Sequence, residues 1–128
     1  MSRRVFVSAF YNHFQEFLDQ LVGMFPEDSD FPAYKTTLSL LQMANPTLAP
    51  KEVHVYMKPF QTTIRSRDEK FFLDHSFSEF AQSDAIQQII GKLKTMWATL
   101  SDNNKKCMWD YITLLMDLAS RCNDEPSS

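Results

Sequence analysis

Apolar residues fall at spacings of three and four along most of this chain. Val7, Phe10, Tyr11, Phe14, Phe17, Leu18, Leu21, Val22 and Phe25 form one such stripe, the signature of a helix with a single buried face. Pro26 ends it, because a proline disfavours helical geometry in the residue before it. Ser29 or Asp30 then caps a second helix, with Pro32 in its first turn and Tyr34, Leu38 and Leu41 on its inner face. Asn45-Pro46 stops that helix, and Thr47 to Pro50 repeats the device of a polar cap followed by an early proline. Val53, Tyr56, Met57, Phe60 and Ile64 carry helix three from Pro50, interrupted by Pro59, which removes a backbone hydrogen bond and predicts a kink or break.

The pattern loses its period between Arg65 and Ser83. Phe71, Phe72, Leu73, Phe77 and Phe80 recur there without one clean face, which predicts an ordered, aromatic-anchored loop holding a helical turn or two. Ser83 then caps the most regular stripe, Ile86, Ile89, Ile90, Leu93, Met96, Trp97 and Leu100. Ser101-Asp102 opens a last helix whose inner face is Met108, Tyr111, Ile112, Leu115, Leu118 and Ala119, in a tight hairpin with its predecessor. Trp109 and Met116 lie off that face, against another helix or a partner. No segment alternates, and Gly23 and Gly91 are the only glycines, so β-hairpin signals are absent. The fold class is all-α, a compact bundle of about five helices in one domain over 1–122, with a frayed polar tail at 123–128.

Composition sharpens this picture. The chain has 128 residues, 44% of them hydrophobic and 23% charged, the balance of one globular domain with one core. Eleven phenylalanines, four tyrosines and two tryptophans predict an aromatic core. A net charge of −3 supplies no overall attraction to nucleic acid or anionic membrane. No apolar run approaches the roughly 20 residues that cross a bilayer, and the amino terminus lacks a signal-peptide h-region, so an intracellular protein without a membrane partner is expected. Cys107 and Cys122 lie fifteen residues apart on one helix, about 22 Å along its axis, too far for a disulfide. Both are read as free thiols, Cys107 packed inside and Cys122 more exposed near the tail.

Candidate chemistry is sparse. Two isolated glycines cannot build a phosphate loop, and His13, His54 and His75 sit in no local nucleophile motif. Paired metal-ligand spacings are missing; His13 with Glu16 reads as a surface pair, and Glu27, Asp28 and Asp30 as a cap and turn. Asp68, Glu69, Asp74 and Glu79 read as the polar side of the aromatic loop. Neither catalysis nor a cofactor or metal is expected. Lys92, Lys94, Lys105 and Lys106, with Arg65, Arg67 and Lys70, form the only basic clusters, and the first four make an accessory role on nucleic acid the alternative reading. The leading reading is a non-enzymatic protein-interaction or structural module, by self-association or with a protein partner, through the aromatic surplus of Phe71, Phe72, Phe77, Phe80 and Trp109.

The strings Phe14-Gln15-Glu16-Phe17-Leu18, Phe25-Pro26-Glu27-Asp28, Ala44-Asn45-Pro46 and Phe71-Phe72-Leu73-Asp74 occur in that order. As a set the pattern resembles short uncharacterised helical proteins encoded by large eukaryotic DNA viruses, over most of the chain as far as Asn103-Asn104. Pro59 stands where those sequences carry a longer third helix. The resemblance implies a viral origin, a compact helical fold, and a location in the host cytoplasm, nucleus or virion; it implies no activity and no functional residues.

Overall fold

A computed structural model describes residues 3–74 and 84–123 of the protein. Within them every regular element is helical: α1 (Arg3–Met24), α2 (Asp30–Ala44), α3 (Leu48–Met57), α4 (Gln61–Arg65), α5 (Glu69–Asp74), α6 (Asp84–Met96) and α7 (Asp102–Asn123). Single 3-10 turns at Lys58–Phe60 and Trp97–Thr99 extend α3 and α6. The five longer helices are those of the five stripes. The break expected at Pro59 is the first 3-10 turn. Part of the irregular segment is helical as expected, in α5; the part that holds Phe77 and Phe80 lies outside the described residues.

The aromatic stripe of α1 is the centre of the core. Phe10, Tyr11, Phe14, Phe17, Leu18 and Leu21 are all buried, and the rings of Tyr11, Phe10, Phe14 and Phe17 follow one another in that order, edge to face, at 5.5, 5.7 and 6.1 Å between centroids, the geometry the ring quadrupole favours. The other helix of 22 residues, α7, packs along α1. Phe17 meets Tyr111 across that seam. Helix α2 covers a second side of α1 through Phe31 and Leu38, with Phe25 stacked on Phe31. Gln15 reaches across and donates to the Lys35 carbonyl and the Ser39 hydroxyl, both at 3.0 Å. Helix α3 packs on α7, and α6 closes the bundle against α2 and α3.

Local details differ from the sequence pattern in four places. The connection from α6 to α7 is short, but α6 turns toward α2 and α3 instead of lying along α7 as a tight hairpin. Ser29 makes no side-chain cap; the Asp28 carboxylate takes the Asp30 N–H at 2.9 Å, one residue earlier. Helix α3 starts at Leu48, two residues before Pro50, which then lies in a first turn that needs no N–H from it. At the other end of the chain α7 includes Asn123, whose amide donates to the carbonyls of Ala119 and Pro50 at 2.7 and 3.3 Å. Asn123 therefore belongs to the domain, not to a tail.

Both cysteines are free thiols. Their environments are reversed relative to expectation: Cys122 is buried because α3 covers the end of α7, and Cys107 is half-buried. Burial, and then the Asp110 carboxylate, push the Cys107 thiol up and keep it protonated.

The α7 cap forms as the sequence predicts, with the Asn104 N–H donating to the Ser101 hydroxyl at 3.1 Å. Ser101→Ala should therefore lower stability by about 1 kcal/mol. Gly91 lies inside α6, and a methyl group there would meet no neighbouring atom; Gly91→Ala should raise stability by about 1 kcal/mol. Urea unfolding of the two variants checks both helix assignments, and a neutral result at either position contradicts the helix concerned.

Candidate functional site

Of the aromatic residues singled out by sequence, Phe72 and Trp109 meet, and they do so inside the fold. Trp109 is 6% exposed. Its ring meets Trp97 at 5.4 Å and Phe72 at 5.9 Å, and Phe72 meets Trp97 at 5.1 Å, so three rings close a triangle. Trp97 brings the 3-10 turn after α6 into this cluster, and that is why a residue off the α7 stripe is core. Met116, the other such residue, is buried too. Phe71 is half-buried against Phe60 at 5.0 Å. The surface role given to Trp109 by the sequence is thus corrected to an interior one, while Phe77 and Phe80 lie outside the described residues.

Beside the ring triangle lies an apolar cavity of about 80 Å³. Among the described residues its wall is carbon: Phe14 and Phe17 from α1, Val53 and Met57 from α3, Ile89, Ile90 and Leu93 from α6, and Trp109, Ile112 and Leu115 from α7. The remaining side is Thr63, Ile64, Asp68, Phe71 and Phe72, from α4, α5 and the turn between them. We call residues 61–74 the strap.

The turn in the strap rests on Arg67, the one non-glycine residue with positive φ, 58°, among the described residues. Its N–H donates to the Ile64 carbonyl at 3.0 Å and the Asp68 N–H to the Thr63 carbonyl at 3.3 Å. These two bonds end α4 as a Schellman motif, in which the left-handed position is usually glycine. Here it is arginine. The guanidinium of Arg67 in turn donates to Asp110 of α7 at 2.5 Å. Arg65 pairs with Asp117 at 2.5 Å and Glu69 with Lys105 at 3.2 Å, so three ion pairs tie the strap to α7.

Those pairs also set the local titration. The bond from Arg67 holds the Asp110 carboxyl below the usual carboxylate range. Glu69 is held down first by the Trp97 indole N–H beside it, and then by Lys105. A carboxyl with a depressed folded pKa stabilises the fold above its unfolded value and loses that contribution as pH falls through the folded one. The ties of Asp110 and Glu69 are therefore made at neutral pH, and their contribution is lost as pH falls through the lowered folded pKa values.

The same arrangement bears on the basic residues. Lys92 lies between Asp28 and Asp30, at 2.7 and 2.9 Å, and over the Phe31 ring, so it joins α6 to the start of α2. Both carboxylates push its pKa upward. Lys105 faces Glu69, and Lys106 lies 3.7 Å from Asp110. Three of the four lysines of the alternative reading thus have carboxylate partners, on different parts of the fold. His13 and Glu16 form the surface pair expected of them, at 3.0 Å. Among the described residues no group of three or more His, Cys, Asp or Glu is placed to hold a metal ion, and no helix is long and apolar enough to cross a membrane.

One surface feature escaped the sequence reading. The outer face of α2 exposes Ala33, Thr36, Thr37, Leu40, Met43 and Ala44, a row at helical spacing without a charged side chain. Leu40 is 60% and Met43 81% exposed. The signal was present in the sequence: between Asp30 and Ala44 only Lys35 is charged, and Lys35 is turned aside to Asp19 of α1.

Comparison with protein-family models, with curated proteins and with solved structures finds no match for this chain.

The ring triangle gives a direct test of what is core here. Trp109→Ala should destabilise the protein by about 3–5 kcal/mol, the usual cost of deleting a buried aromatic ring. Thermal unfolding followed by circular dichroism measures it; unchanged stability would return Trp109 to the surface.

Proposed function

We propose that this protein is a non-enzymatic helical module that binds protein, either another chain or a second copy of itself, through the outer face of α2. The observation that carries this reading is the uncharged row on that face, with Leu40 and Met43 in water. Scattered exposed apolar residues are ordinary, but interface centres are distinguished by depletion of charge and enrichment in methionine, and this row has both. The aromatic surplus of the sequence does not serve here, since its described members turn inward. The non-enzymatic reading is supported by what the charged groups do: those with displaced pKa values form ion pairs between helices.

A viral origin, and with it action inside an infected cell or in the particle, is part of the proposal. It rests on the order of sequence motifs alone. The nucleic-acid alternative is disfavoured by the carboxylate partners of Lys92, Lys105 and Lys106; binding through phosphate contacts would in any case fall steeply with added salt, and apolar docking would not.

The test is a pair of surface substitutions. Leu40→Glu and Met43→Glu should leave unfolding stability within about 0.5 kcal/mol, as surface changes do. If either residue is a central anchor, each should weaken association by roughly 2 kcal/mol, read by light scattering for self-association and by affinity capture for another chain. A protein that is monomeric at high concentration, and whose captured partners are unaffected by either change, would refute the reading.

A further inference from the structure

The cavity beside the ring triangle is bounded by elements of two kinds. Four of its sides are faces of α1, α3, α6 and α7, helices of 10 to 22 residues packed into the core. The fifth is the strap, whose helices have five and six residues. Helices that short are not stable by themselves in water, so the strap keeps its form only through tertiary contacts. Elements of this kind belong to the low-stability end of a fold and open before the rest.

What holds the strap is half polar. Phe72 docks on the two tryptophans, but the ties of Arg65, Arg67 and Glu69 to α7 are ion pairs between side chains that are roughly 40–50% exposed, Lys105 excepted at 22%. Solvent-exposed pairs are weak and are screened by salt. The turn they secure holds an arginine in a backbone state that L side chains avoid. Strain and a breakable tie thus coincide at the rim of the cavity.

The cavity itself selects by chemistry. Although Thr63 and Asp68 line it, the Asp68 carboxylate takes the Phe71 N–H at 3.0 Å, and the described residues turn only carbon toward the space. A guest with a polar group would strand it. The volume, about 80 Å³, is about half of the roughly 150 Å³ in which an engineered apolar cavity takes benzene or xenon. A single atom such as xenon fits the closed form; an aromatic ring fits only when the strap moves outward.

We propose that this cavity is a binding site for a small, uncharged, apolar molecule of about one aromatic ring, and that the strap over it is a cover latched by the ion pairs of Arg65 and Arg67 with Asp117 and Asp110. The site is independent of the α2 face, which contributes no residue to the cavity wall.

Methyl-detected nuclear magnetic resonance tests this with xenon and benzene as probes, on the full chain and on the Asp110→Asn/Asp117→Asn double variant in one buffer. Both probes should shift the methyl signals of Ile64, Ile89, Ile112 and Leu115. Losing two exposed ion pairs should raise benzene affinity about threefold or more and leave xenon affinity unchanged, because only benzene needs the strap to move. If the double variant loses helicity, Arg65→Gln, which breaks one tie, takes its place with a smaller gain in the same direction. Val53→Phe, which fills the cavity, should abolish both responses; Ile89→Phe serves if that variant does not fold. Absence of methyl shifts with either probe overturns the site. Benzene affinity equal in parent and variant, or xenon binding without benzene binding, overturns the latched cover.

Discussion

The constraint on which the rest of the molecule depends is the aromatic face of α1. Phe10, Tyr11, Phe14 and Phe17 occupy two turns and are buried together, each ring removing roughly 150–250 Å² from water. One helix cannot cover that breadth. Helix α7 takes one side, α2 another, and α3 reaches the seam by packing on α7. The edge-to-face sequence of the rings leaves them little freedom to slide, and so fixes which residues of the neighbours face inward. Tyr11 shows the cost of such packing. Its hydroxyl is buried without a well-formed hydrogen bond among the described residues, and burial pushes its pKa up to about 12, against a partial counter-effect of the Ala49 backbone.

Charge in this protein acts mainly between its own helices. Lys92 joins α6 to the head of α2, Lys35 joins α2 to Asp19 of α1, and Arg65, Arg67 and Lys105 join the strap to α7. Each tie adds little energy at its exposed position. Collectively they set register, because all but the Lys35 tie connect elements far apart in sequence, and like charges in a misdocked arrangement would repel. These cations are thus set against carboxylates, whereas the exposed row on the outer face of α2 carries no charged side chain.

How far the fold was legible follows the range of the forces involved. The stripes of α1, α2, α3, α6 and α7, the break at Pro59 and the Ser101 cap are local, set by residues within a turn or two, and the sequence displays them directly. The inward turn of Trp109 was not legible, because it depends on Trp97 arriving through a 3-10 turn and on Phe72 arriving through the strap. Periodicity along α7 alone places that ring off the buried face. Cys122 misled for the same reason: proximity to the chain end suggested exposure, and α3 supplies the cover. The partners of Lys92 and Lys105 were equally hidden, since they meet carboxylates 62 and 36 residues away. The strap was half visible. Its helical turns and aromatic anchors could be read, whereas its strained Arg67 could not, as no glycine or asparagine marks the turn.

The two surfaces on which function is proposed are joined through α1 and α6, both of which line the cavity and pack against α2. Phe14 and Phe17 line the cavity, while Gln15 between them holds α2 through Lys35 and Ser39. Occupying the cavity would press on one face of a helix whose opposite face carries α2. A packed helix with interlocked rings transmits such a push only if it has a second arrangement to adopt, and the ring sequence of α1 provides none. The element proposed to have an alternative is the strap, whose ties run to α7 and to Trp97. A ligand that displaces the strap would therefore act first on the surface around Asp110 and Asp117, where the strap is tied.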